Sequence, residues 1–71
     1  MREYKEIDLG KSLKMSLIAT GFRQDDIAAM LGVSKQQVSA WATKGGISVK
    51  NISRISRALG LKVSEFIALG E

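Results

Sequence analysis

Apolar positions recur along this chain at helical rather than alternating spacing. Leu9, Leu13 and Leu17 stand at i, i+4 and i+8, which aligns them on one stripe of a helix read over about residues 8–20 and closed by Gly21. Ile27, Ala28 and Leu31 repeat the pattern before Gly32, and Val33 re-enters the core beyond that turn. Ser34 and Gln37 have the Ser-x-x-Gln form of a capping box, so the next helix is expected to start at Lys35, with Val38 and Trp41 facing inward. From Lys44 through Gly45 and Gly46 to Ile47 the chain reads as a loop. Ser48 is expected to cap a fourth helix with Ile52, Ile55 and Leu59 on one face, ended by Gly60. Leu61 and Val63 are read as core, Ser64 as the cap of a last short helix with Phe66, Ile67 and Leu69 on its apolar side, and Gly70 as its end. No alternating run bounded by hairpin signals occurs. The predicted fold class is therefore all-α, a compact five-helix arrangement, and residues 1–71 are read as one domain.

Two helices carry features the core does not explain. In the first, Met15 and Ile18 lie off the leucine stripe, and Ile7 joins them if the helix extends backward. That second apolar face either packs on a terminal helix or contacts another copy of the chain. In the second, Arg23 occupies the N-cap, where it offers no oxygen to the free amides. Asp25 and Asp26 compensate through the helix dipole, and Asp26 is placed to accept the cap amide as half a capping box. That structural role accounts for both carboxylates, and nothing else recommends them as a catalytic pair.

Residues 24–43 thus hold two short helices joined by a glycine turn, the spacing of a helix-turn-helix. The outward set on the second helix is Lys35, Gln36, Ser39, Ala40 and Thr43. Small and polar side chains without acids suit a major groove about 12 Å wide, where Gln pairs with adenine and Lys with guanine. Lys35 adds weight, because the dipole disfavours a cation in the first turn and the stability of its own helix does not call for one.

Composition sharpens this picture by exclusion. With 71 residues, the chain buries only about 60% of its unfolded surface, so a modest core must hold it. It has no Cys or His, hence no disulfide framework, no thiolate metal site and none of the familiar base or nucleophile constellations. Neither a G-x-S-x-G elbow nor a phosphate-binding loop is present, so the chain is expected not to be an enzyme and to need no cofactor. No signal-peptide or membrane-spanning stretch is visible, so a cytoplasmic location and no membrane partner are expected. The net charge of +4 is unevenly spread: Ile27 to Ser64 contains no acid but holds Lys35, Lys44, Lys50, Arg54, Arg57 and Lys62. An acid-free basic middle is the electrostatic footprint of a phosphate-backbone partner. Lys44 and the exposed amides of its loop can meet a phosphate, whereas Arg54 and Arg57 are read as a solvated face.

At this point the chain resembles the lambda-repressor and Cro type of helix-turn-helix domain. The likeness rests on Gly21-Phe22, Gln24, Ile27-Ala28, Leu31-Gly32-Val33-Ser34, Val38, Trp41, Ala58-Leu59-Gly60 and Val63-Ser64-Glu65-Phe66. It implies a regulator of phage or prophage origin that reads a double-stranded DNA operator, as a repressor or Cro-like protein. In such domains the positions matching Ser34, Lys35, Gln36, Ser39 and Ala40 face the bases, and the position matching Gln24 contacts a phosphate. Gln37, Thr43, Lys44 and Lys50 are expected to join Gln24 at the backbone. The resemblance also implies a homodimer, which Ile7, Met15, Ile18 and Ile67 would help to form and which DNA would help to assemble. Other readings are a DNA-binding piece of a longer repressor and a protein-binding adaptor such as an antitoxin. This chain departs from the pattern in its Arg23 cap, in Gly45-Gly46 where a proline is common, and in its first eight residues, where 1–6 read as an arm, a helix extension or a frayed end.

Overall fold

The structure, a computed structural model, describes residues 7–71 and holds five α-helices: α1 (Leu9–Thr20), α2 (Gln24–Leu31), α3 (Lys35–Lys44), α4 (Val49–Leu59) and α5 (Val63–Ala68). No strand occurs among the described residues, in keeping with the all-α expectation. The expectations for residues 1–6 lie outside the described residues.

Local chemistry accounts for the helix starts. The Asp8 carboxylate accepts the Lys11 amide at 3.0 Å, Ser34 Oγ accepts the Gln37 amide at 3.1 Å, and Ser48 Oγ accepts the Asn51 amide at 3.3 Å. Each side chain satisfies one of the amides that an α-helix leaves open. At α2 the Arg23 amide donates to Asp26 Oδ2 at 2.8 Å, the half capping box read from the sequence. Gly32, with φ of 69°, makes the turn into α3 in the left-handed region that a Cβ disfavours.

The inward stripes converge on one core. Leu13, Ile27, Val38, Ile55 and Phe66 are fully buried, joined by Leu17, Ala28, Trp41, Ala42, Ile52 and Leu59. Helix α1 packs on α3, α4 and α5, while α2 packs on α3 and α4. At the α1–α3 crossing the backbones nearly touch: a Cβ on Gly10 would lie 2.5 Å from the Ala42 carbonyl oxygen. Only glycine fits there. Gly70 plays the same part under the start of α1, where its carbonyl accepts the Asp8 amide at 3.1 Å and a Cβ would overlap Ser12 Oγ and the Asp8 carbonyl oxygen.

Several boundaries and faces differ from expectation. Helix α3 runs through Lys44 and is closed by Gly45 at φ 73°, one residue later than read; Lys44 then complements the negative end of the dipole. The loop residue Ile47 is buried and closes the core beneath that loop. Ser64 does not cap α5. The helix starts at Val63, because the Lys62 amide donates to Glu65 Oε1 at 2.8 Å and Lys62 becomes the cap. Val63, read as core, is 40% exposed. Leu69 rather than Gly70 ends α5, in a right-handed conformation.

Of the two readings of the second apolar face of α1, packing on a terminal helix does not hold. Helix α5 packs on a serine side of α1, with Ser12 Oγ 3.5 Å from the Ile67 carbonyl oxygen, and leaves Met15 and Ile18 uncovered. Ser12, Ser16 and Ser56 are buried because each hydroxyl finds a backbone carbonyl; Ser16 donates to Leu13 at 2.9 Å and Ser56 to Ile52 at 2.8 Å. A serine that bonds back to its own helix gives no polar signal to the solvent side.

Candidate nucleic-acid interface

Helix α3 is held by one side and presents the other. Val38, Trp41 and Ala42 are buried against α1 and α2, which fixes the rotation of the helix about its axis. Lys35, Gln36, Gln37, Ser39, Thr43 and Lys44 are exposed, as is Ser34 at the cap, while Ala40 is half-buried at the margin. The five expected base-facing positions therefore form one continuous surface over the first half of α3. Of the expected backbone set, Gln24 is half-buried at the first position of α2, and Lys50 is exposed in the first turn of α4. Gln37, Thr43 and Lys44 lie on α3 itself, so the expected backbone set is drawn from three helices.

Ser34 is partly committed. Its oxygen already accepts the Gln37 amide, which leaves its hydroxyl proton and one lone pair for an outward partner. Lys35 has a partner that the spacing did not reveal: its Nζ lies 3.3 Å from Asp25 Oδ1, across the turn on the first turn of α2. This is the one ion pair among the described residues. Both side chains are largely exposed, so the pair contributes about 0.2 to 1 kcal/mol to stability at most. The ion pair supplies a structural reason for a cation at the start of α3.

Arg54 proves not to be a simply solvated residue. Half-buried, it donates to the Leu31 carbonyl at 2.7 Å and to Asn51 Oδ1 at 3.2 Å, which ties the C-terminal end of α2 to α4. That carbonyl is one of the four a helix leaves open at its end, and a guanidinium satisfies it with a charge-assisted bond. Arg57 does remain exposed, on the rim of a groove of about 580 Å³ that runs between α2 and α4 past Met30 and Lys50. Among the described residues no group of three or more acidic side chains is placed to hold a metal, and no helix is long and apolar enough to cross a membrane.

A glycine turn between two short helices, the second packed by one face and polar on the other, defines a helix-turn-helix DNA-binding domain. Residues 13–66 match the family model described as helix-turn-helix, and the chain belongs to that family, in its lambda-repressor and Cro type. Its class is that of DNA-binding transcriptional regulators. Among solved structures, a hypothetical transcription factor from Neisseria shares the fold with a TM-score of 0.75 at 22% sequence identity, over 94% of this chain and 84% of that one. No curated protein matches the chain.

Proposed function

We propose that this protein regulates transcription by occupying a specific double-stranded operator as a homodimer, with α3 of each protomer in the major groove. The observation that carries this reading is the division of α3. Its inner side is locked into the core by Val38, Trp41 and Ala42, and its outer side is polar and contains no acid. Lys35 and Gln36, long and early in the helix, read base edges; Ser34, Ser39 and Ala40 allow close approach. Gln24, Gln37, Thr43, Lys44 and Lys50 hold the phosphates on either side. This is a binding function, and it asks for no catalytic group or cofactor.

Ile7, Met15 and Ile18 support the dimer: they are 44%, 40% and 75% exposed. Ile67 drops out of this set, since it packs against the core of its own chain.

Selection of bound sites from a random duplex pool tests the reading directly, and a single recovered consensus is expected. On that selected site, Gln36→Ala should cost about 1 to 3 kcal/mol of binding free energy and far less on random DNA. Equal losses on the two would reassign Gln36 to the backbone. Binding should also weaken steeply with salt. If about four to eight phosphates are neutralised per dimer, the log-log slope should fall between about −4 and −7, and a slope near zero would contradict the phosphate-backbone reading.

A further inference from the structure

We infer that Asp25 is a specificity-determining positioning residue, which restrains Lys35 on random DNA and aims it at a base on the operator. The inference rests on the operator reading above. Its starting point is an acid at an otherwise basic surface. Helix α2 has two carboxylates in its first turn, and Asp26 alone accepts the Arg23 amide. Asp25 Oδ1 instead lies 3.3 Å from Lys35 Nζ, on the first turn of the next helix. The two residues belong to the two halves of the helix-turn-helix, and the buried inner faces of α2 and α3 fix their separation.

Such a pair acts differently on the two kinds of DNA. Against a random duplex Lys35 meets mainly phosphate, and a positive charge already shared with a carboxylate neutralises little of it. Asp25 also repels that phosphate. Against a guanine the situation changes, because an ammonium has three N–H donors. One stays on Asp25 while the others reach O6 and N7 of the base, so the carboxylate limits the directions in which a flexible four-carbon side chain can point. Asp25 thus costs affinity on random DNA, and on the operator that cost is offset by orientation.

The test is Asp25→Asn, which keeps the size of the side chain and removes its charge. Dissociation constants are measured over a salt series on the selected operator and on random duplex, together with Lys35→Ala and the double variant. Affinity for random DNA is expected to rise about three- to tenfold and its salt slope to steepen by about 0.9 per protomer, as one further phosphate is neutralised. Operator affinity should change less, so the ratio of the two falls. In the Lys35→Ala background the same substitution should raise both affinities by a common factor and leave the ratio unchanged. A ratio that Asp25→Asn leaves untouched in the parent would overturn the inference, because Asp25 would then act as a general negative charge. So would a ratio that still falls without Lys35. Melting temperature serves as the control and should move by only a few degrees, since the pair is exposed. A parent protein that binds no duplex would remove the operator reading itself and this inference with it, whereas equal gains remove the inference alone.

Discussion

Trp41→Ala is expected to lower the free energy of unfolding by about 3 to 5 kcal/mol, the range for truncating a large buried aromatic. The indole sits on the inner side of α3, buried with Val38 and Ala42 against α1 and α2. A chain of 71 residues has a small core, and total stabilities of natural domains begin at about 5 kcal/mol. The loss is therefore comparable with the whole. Urea unfolding followed by far-ultraviolet circular dichroism should show a midpoint near zero denaturant or no folded baseline. DNA binding should disappear with the fold and return in part when operator is added in large excess, because ligand that binds only the native state stabilises it. A variant that unfolds like the parent and yet binds no DNA would place the indole at the nucleic acid rather than in the core.

The second large effect concerns the operator. One recognition helix spans only a few base pairs, too little to single out a site in a genome, whereas two related by a two-fold axis about double the sequence read. Half-sites should lie about 10 base pairs apart, centre to centre. Inserting about 5 base pairs between them turns one half-site to the opposite side of the duplex and should abolish tight binding, leaving the affinity for random DNA. Titration of the parent operator should reach saturation at two protomers per duplex. Tight one-to-one binding that ignores the insertion would identify a monomeric reader.

The sequence was most legible where one residue does one job. Ser34 and Ser48 carry their capping oxygens openly, and the leucine stripe of α1 and the Val38–Trp41 pair of α3 face inward as their spacing requires, whereas Asp8, read inside the first helix, is its cap. It was least legible where a residue answers to something distant. Ser64 has the right type for a cap, but the Lys62 amide already has the Glu65 carboxylate, so the helix begins earlier. The same device was readable at Arg23 and Asp26 because no competing serine stood nearby. Periodicity placed Arg54 on the polar side of α4, and that much holds; the Leu31 carbonyl it serves is 23 residues away, a distance that no helical spacing encodes. At the candidate interface, the exposed outer residues of α3 followed from the buried inner ones, whereas the Asp25–Lys35 pair depends on the angle between two helices.

That angle is one of two that α3 must satisfy, and the other is set at Gly10. A side chain between helices lets them slide as it changes rotamer, but α1 meets the Ala42 carbonyl of α3 with no side chain between. If Met15 and Ile18 on the outer side of α1 join two protomers, the path from that seam to the recognition helix of each protomer runs through backbone in contact with backbone. The dimer would then behave as a rigid ruler. It would tolerate changes of base sequence between its half-sites more readily than a change of even one base pair in their number, since a stiff protein leaves the duplex to absorb the whole mismatch by twisting.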